Sequence, residues 1–346
     1  LTTPDWEVGS DFQVVDQALL VSGSVRPPWE SNDQPVSYFE SGRQALAAVS
    51  DHLKSQGRSR LLMPAFYCES MIEPFATDGW SIDFAAVSGD LRVQPVDAVE
   101  APQETAILSL PYFGTPEAPE WLASLATWQN AGAVVISDET HRVLAPGLAS
   151  ADYRVASLRK MLPLPDGAYL SGAALAPSEC EATSTAEVRL AAMKTKSDFM
   201  ARRGPSEHRA LFLRAEELTE AAVRPAPMSS ASQDWIGRFD YGELARIRVS
   251  NARALVAAIS ASAYSPAQDG AEVRSHMVIT GPDLIGLRAH LIAHRVFCPV
   301  HWPEPQHGPK PAGAWPTSYL SVPIDHRYSV DDLTHVGQLI RDHVPS

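Results

Sequence analysis

The sequence predicts an α/β protein: a mostly parallel sheet covered on both faces by helices, with a smaller C-terminal α+β unit. Three observations lead there. Short β-rich runs alternate with helix-period runs from residue 41 to about 175, punctuated by Pro and Gly. The strand runs are near-continuous in apolar residues, which marks strands buried on both faces. Beyond residue 182 the pattern turns helix-rich and then ends in a short strand–helix–strand tail. A length of 346 residues exceeds what one ordinary core needs. The expected division is an N-terminal segment at 1–37, a large domain at 38–225 and a small domain at 226–346.

Each element has its own signal. After a loop-like opening, "SGRQALAAVSDHLKSQG" (41–57) reads as a helix, with Leu46, Val49 and Leu53 on one face, Ser41 as cap and Gly57 as stop. "RLLMPAFYC" (60–68), "SIDFAAV" (81–87) and "AILSLPYFG" (106–114) read as strands. A helix is expected between 115 and 132, with Thr115 as cap, Pro116 in its first turn and Trp121, Leu122, Leu125 and Trp128 facing one way. "AVVISDETH" (133–141) is an apolar strand that breaks into polar residues. "YRVASL" and "GAYLSGAAL" are strands flanking Lys160. Helices fill 182–222 and 240–260, with a connector at 224–234. The tail reads strand "HMVITG", helix "PDLIGLRAHLIAH", strands "RVFCPVHW" and "SYLSVPI", then a helix opened by Ser329 and Asp332 in capping-box spacing.

Composition excludes several classes. With 28 basic against 41 acidic side chains the formal charge is −13, and no basic run appears, so nucleic acid and anionic lipid are not expected partners. No run approaches a membrane span. The opening "LTTPDWEVGS" lacks signal-peptide regions, and Cys68, Cys180 and Cys298 are widely spaced, so a cytoplasmic protein is expected.

Five of the 28 basic residues are lysines: Lys54, Lys160, Lys194, Lys196 and Lys310. A primary amine can lose its proton and form an imine; a guanidinium cannot. Lys160 is either such an amine or a surface lysine beside the turn that Pro163 and Pro165 stiffen. Other candidates sit at the carboxyl ends of strands, where open parallel sheets hold ligands. The turn "ESGRQAL" feeds a helix N-terminus at Gly42–Arg43, suited to phosphate. Asp138 ends an apolar strand; it caps the next helix, pairs with an arginine or meets a cationic ring nitrogen. Ser157 precedes Lys160 by three residues and offers a hydroxyl to a phosphate. Phe66 and Tyr67 either cover a flat ring or pack in the core. Phosphate site, acid, amine and aromatic are the parts needed to hold pyridoxal phosphate (PLP).

These motifs resemble those of fold-type I PLP enzymes, most closely the DegT-like branch known for nucleotide-sugar aminotransferases, over roughly residues 38–340. The branch's Ser-Gly-Thr-x-Ala-Leu stands here as "SGRQAL", with Arg43 in place of Thr. "LLMPAFYC" is similar to its Pro-containing strand end, with Cys68 where relatives carry the stacking aromatic and Tyr67 as the substitute. "DETH" resembles Asp-x-Ala-Gln/His, which implies Asp138 at the ring nitrogen and His141 at the ring's phenolate oxygen or its neighbouring face. The branch's lysine is followed seven residues later by Gly in a Gly-Glu-Gly-Gly turn; "KMLPLPDGA" places Gly167 at that spacing, with Asp166 for Glu and Ala168 for the last Gly, and the C-terminal tail is also similar. Two departures stand out. Val155 occupies the place of the usual serine five before the lysine, and the Ser-Phe-His-Pro lead-in is missing.

The resemblance implies a seven-stranded sheet, PLP as cofactor held by Gly42, Arg43, Tyr67, Asp138, His141, Ser157 and Lys160, and catalysis by Lys160 and Asp138. It implies an aminotransferase with a small-molecule amino donor and acceptor, and a homodimer with shared sites. Two alternatives stay open: elimination, decarboxylation or carbon–carbon bond formation on the same cofactor, and a regulatory protein without turnover. A zinc site among His294, Cys298, His301 and His307 lacks a second ligand pair at a suitable spacing. Arg327 either clamps a substrate carboxylate or is solvated. Lys194, Lys196, Arg202 and Arg203 either reach a partner subunit or form a solvated face.

Overall fold

The computed structural model describes residues 6–30, 34–177, 184–204, 206–222, 224–268, 273–306, 308–312 and 315–345. In chain order its elements begin with strands β1 (Val8–Gly9) and β2 (Val36–Phe39), helix α1 (Gly42–Ser55), β3 (Arg60–Pro64), α2 (Glu69–Thr77) and β4 (Ser81–Ala85). They continue with β5 (Thr105–Ser109), α3 (Pro119–Asn130), β6 (Val134–Asp138), β7 (Tyr153–Ser157) and β8 (Ala168–Ser171). The helices α4 (Thr185–Met200), α5 (His208–Ala221), α6 (Ser230–Ile236) and α7 (Tyr241–Ile259) follow. The chain closes with β9 (Ser265–Pro266), β10 (His276–Thr280), α8 (Leu284–Ala293), β11 (Val296–Phe297), β12 (Leu320–Pro323) and α9 (Val330–Asp342).

Seven strands form the main sheet in the order β2-β8-β7-β6-β5-β3-β4, and only β8 runs against its neighbours. The strands alternate their side chains between two faces. Along β7 this divides the apolar residues between two cores. Val155 packs with the cluster of Leu46, Phe75, Trp121 and Ile136, and Ala156 with that of Trp29, Tyr169 and Leu244. Burying one such large apolar side chain is worth roughly 1.5–3 kcal/mol. A third core joins α7, α8 and α9 to the small antiparallel sheet β12-β10-β9. β1 pairs in parallel with β11 and so fastens the start of the described chain to this C-terminal unit.

Several elements differ from expectation for identifiable reasons. α2 was not expected, because Pro74 lies inside it; Pro74 falls late enough that the helix forms and ends within a turn. α3 begins at Pro119 rather than at Pro116, and Pro119 supplies the same first-turn preference. The strand expected at 106–114 ends at Ser109, since Phe113 takes a left-handed φ of 55° in a short 3-10 turn. The connector expected at 224–234 contains the start of α6, capped by Ser229. "RVFCPVHW" keeps only two residues as strand, because Pro299 and Pro303 leave gaps in any ladder. The capping box at Ser329 and Asp332 is present as the spacing predicts. Cys180 and His307 lie outside the described residues. No helix among the described residues is long and apolar enough to cross a membrane.

Candidate active site

β3, β5, β6 and β7 are parallel, so their carboxyl ends open on one edge of the sheet. Lys160 closes a one-turn 3-10 helix, 158–160, directly after β7. The antiparallel return into β8 fixes this turn. The Leu158 amide donates to the Gly167 carbonyl at 2.9 Å, and the Gly167 amide to the Glu40 carbonyl at 2.7 Å. Gly167 holds a φ of 120°, a conformation that side-chain-bearing residues rarely adopt. The Lys160 side chain meets solvent in a cavity yet stands deep among other charged groups. The neighbouring Arg159 guanidinium and burial lower its pKa, which favours the uncharged, nucleophilic amine. The amine has no hydrogen-bond or ion-pair partner among the described residues.

Asp138 ends β6 with its side chain buried. Its Oδ1 accepts from the Thr140 amide at 3.0 Å, and no arginine or lysine pairs with it among the described residues. Burial therefore raises its pKa, opposed only by Thr140. The Thr140 hydroxyl in turn accepts from the Ser157 amide at 3.0 Å, so Asp138, Thr140 and Ser157 are joined in one chain of contacts. Gly42 opens α1 against Ser157: a Cβ built on it would lie 3.2 Å from the Ser157 Cβ. Ser41 caps α1 by accepting from the Gln44 amide.

His141 Nδ1 accepts from the Phe113 amide at 3.1 Å, which puts the neutral ring's proton on Nε2. Burial, then His301 and Lys160, hold its pKa well below the usual value. Its ring lies parallel to Trp302 at a centroid separation of 5.5 Å and near-parallel to Phe113 at 5.0 Å. His301 adjoins it at 5.6 Å and His276 adjoins His301 at 4.7 Å. His301 is pushed down to about 4 by burial and Lys160.

Five candidate residues are turned elsewhere. Arg43 pairs with Glu73 at 3.0 Å and donates to the Glu220 carbonyl at 3.1 Å, so its guanidinium is committed outside the Gly42–Ser157 contact. Tyr67 is fully buried, stacked on Phe84 at 5.6 Å, with its hydroxyl donating to the Pro309 carbonyl at 2.7 Å. The alternative ring cover, Phe66, is buried among Tyr112, Trp302, Trp315 and Tyr319. Cys68, partly exposed, is the residue of this strand end that interacts electrostatically with Lys160. Arg327 is spent on Asp325 at 2.7 and 2.9 Å and on the carbonyls of Gly9, Ser10 and Asp11. Lys196 is buried on Glu7 at 2.9 Å rather than solvated. Among the described residues no group of three His, Cys, Asp or Glu is placed to hold a metal ion.

The structure also gathers residues that the sequence did not assign, Thr140, His276, Arg159, Arg189 and Glu216, together with His301, which the sequence offered only as a zinc ligand. Arg159 had a signal, being the immediate neighbour of Lys160. Arg189 and Glu216 lie on α4 and α5, where nothing local distinguishes them from surface charges.

No family model matches the chain, and no curated protein matches it. Solved structures do. A DegT DnrJ EryC1 StrS aminotransferase from Brucella abortus superposes with a TM-score of 0.60 at 15% identity, covering 93% of this chain and 92% of that one. Spr1654 from Streptococcus pneumoniae, described as a candidate sugar aminotransferase and solved in its PLP form, gives 0.65 at 12% identity over 97% and 98%. The sugar aminotransferase CalS13 from Micromonospora echinospora gives 0.59 at 13% identity over 89% and 87%. At these identities the shared property is the fold.

Proposed function

We propose that the protein is a PLP-dependent aminotransferase of a biosynthetic pathway, acting in the cytoplasm as a homodimer with shared sites. The observation that carries this reading is Asp138, a buried carboxylate at a strand end with no cationic partner among the described residues, on the same sheet edge as an unpartnered lysine amine. A protonated pyridine nitrogen would supply the missing charge. The shared fold of aminotransferases supports the same conclusion.

The residues present fit the cofactor. The amides opening α1 at Gly42 and Arg43, with Ser157 against them, would hold a phosphate through backbone donors and the helix dipole. Arg43 contributes its amide there, since its side chain is engaged with Glu73. Asp138 would keep the ring nitrogen protonated, and His141 Nε2–H would donate to the ring oxygen. Bound there, PLP supplies an aldehyde that reacts with amines and a ring that takes up electrons. Lys160 is the amine that would attach the cofactor, and its free amine would be the base that moves the proton at the substrate's α-carbon. Its lowered pKa leaves more of the amine uncharged for that work than in an ordinary lysine.

The test is visible absorption of the protein purified with PLP, followed by borohydride fixation and peptide mass spectrometry. The expected result is a cofactor mass on the peptide bearing Lys160, a band bleached by an amino donor and restored by a keto acceptor. Fixation without this cycle would transfer the protein to elimination, decarboxylation or carbon–carbon bond chemistry. No fixation at Lys160 would end the cofactor reading.

A further inference from the structure

A cavity of about 380 Å³ opens on the Lys160 side chain. Its lining includes five cationic side chains and three carboxylates, in a chain whose overall charge is −13. Gly42, Ser157 and Asp138 do not line it, so it lies on a different flank of Lys160 from the contacts assigned to the cofactor. Phe12, Leu164, Met193 and Phe212 give it apolar walls.

Two of the arginines are consumed by the protein itself. Arg327 is committed to Asp325 and three carbonyls. Arg248 donates to the carbonyls of Met161, Arg274 and Ser275. The remaining pair is different. Arg159 and Arg189 each give one terminal nitrogen to opposite oxygens of a single carboxylate, Glu216, at 3.0 and 2.5 Å. Two guanidiniums thus share this carboxylate, with Lys160 beside them; Arg189 also donates to the Thr219 hydroxyl at 3.2 Å and feels the charge of Asp11. The Nε of Arg159 and of Arg189 are buried without a partner among the described residues. Arg189 is 4% exposed. The Nε of Arg248 shares this condition, so what sets the pair apart is the single bridging carboxylate. Glu216 is the accessible member of the group, its side chain 40% exposed. Burial would raise its pKa, but Arg159, Lys160 and Arg189 hold it well below the carboxylate range.

Glu216 shows what the cluster accepts: a planar carboxylate bridged by two guanidinium forks, the match arginine makes best. Its exposure leaves it free to share or yield that position. We propose that Arg159 and Arg189, bridged by Glu216, anchor a carboxylate of the substrate while its reacting end lies toward Lys160. The substrate class is an amino acid or keto acid whose carbon chain lies along the apolar walls. The role of Lys160 rests on the aminotransferase reading; the anion site itself does not.

Calorimetric titration of the PLP-saturated protein with glutarate, dimethyl glutarate and inorganic phosphate tests this. Glutarate has neither amine nor carbonyl to react, so its binding is independent of chemistry at Lys160. The expected result is glutarate binding that weakens tenfold or more in Arg159→Gln and Arg189→Gln, less in Arg189→Lys, with no binding of the diester. Glu216→Gln is expected to tighten glutarate several-fold by removing the competing carboxylate, a gain that no merely structural role predicts. Should Arg189→Gln fail to fold, Arg159→Gln and Glu216→Gln decide. Equal glutarate affinity in wild type and Arg159→Gln, or an unchanged or weaker affinity in Glu216→Gln, would overturn the proposal. So would binding of phosphate alone, lost on PLP saturation, which would give the arginines to the cofactor. Glutarate binding without borohydride fixation at Lys160 would sink the aminotransferase reading and leave the anion site standing; the reverse pattern would sink the anion site alone.

Discussion

Replacing Arg327 with methionine strands the Asp325 carboxylate in the interior. Both side chains are 8% exposed, and the guanidinium meets the carboxylate bidentately at 2.7 and 2.9 Å while its third nitrogen holds the carbonyls of Gly9, Ser10 and Asp11. Every nitrogen of the fork is used, so the side chain straps the N-terminal segment to the C-terminal unit. Breaking a buried pair from one side costs about 3–5 kcal/mol, because the remaining charge is uncompensated. Burial alone would raise the Asp325 pKa; Arg327 reverses this and holds it well below the carboxylate range. A depressed folded pKa contributes stability that is present above the unfolded value near 4 and lost as pH falls through the folded value. In Arg327→Met the sign inverts, since burial then favours the protonated acid. The variant's deficit should be full at pH 7 and shrink as pH falls toward 4. Urea unfolding followed by tryptophan fluorescence measures it, with Asp325→Asn/Arg327→Met recovering part of the loss. A deficit below about 1 kcal/mol at pH 7, the range of an exposed pair, would refute the buried-strap argument. So would a double variant no better than the single one.

Other outcomes follow from the same geometry. Lys160→Ala should abolish turnover and borohydride fixation while circular dichroism stays native; wild-type-like rates would remove the lysine from the mechanism. Asp138→Asn should lose turnover by roughly a thousandfold, the equivalent of the ~4 kcal/mol that a charge pair at about 4 Å is worth at an effective dielectric near 20. Its thermal midpoint should be no lower, because the buried carboxylate has no cation to lose. Gly114→Ala forces a Cβ to 2.7 Å from the Val273 carbonyl and 2.8 Å from the His141 carbonyl at a φ of 94°, so a clear drop in thermal midpoint is expected; no change would show that the loop yields. Burial holds the pKa of His141, His276 and His301 below the ordinary 6.5, with His301 at about 4. Unfolding lets them take up protons, so stability should fall as pH drops from about 6.5 toward 4. A thermal midpoint flat across that window would contradict their neutrality.

How far the sequence revealed this site depends on what kind of contact each residue makes. The positions of Asp138 and Ser157 at strand ends and of Lys160 in the turn after β7 were legible because strand ends and turns are local patterns: an apolar run, a break, a polar residue. The same locality misled at Tyr67. Its position at a strand end fits a ring cover, but Pro309, 242 residues away, takes its hydroxyl. Arg327 was ambiguous for a related reason, since its carbonyl partners lie at the opposite end of the chain. Helix α2 was hidden by Pro74, which reads as a breaker and falls instead in a turn that the helix was about to end. The Arg159–Glu216–Arg189 cluster has no sequence signature, because three elements must fold before those charges meet.

The scarcity of lysine in this chain acquires a physical reason at position 160. Arg159 lowers the pKa of its amine, and burial lowers it further, while Glu216 and Cys68 work in the opposite direction. An arginine in the same place would remain charged against these neighbours and add a third guanidinium to Arg159 and Arg189. A lysine can shed its proton and lower that repulsion, and the neutral amine it leaves is a nucleophile. The histidine flank acts in the same direction, because burial keeps His141 and His301 uncharged beside the amine. Lys160 thus has neutral rings and an excess of positive charge among its neighbours, and His301, Arg159 and Arg189 line the same cavity. Only the positive charge is suited to draw in an anion, so under the proposal above a substrate's carboxylate end would be directed to Arg159 and Arg189 and its amino or keto end toward the lysine.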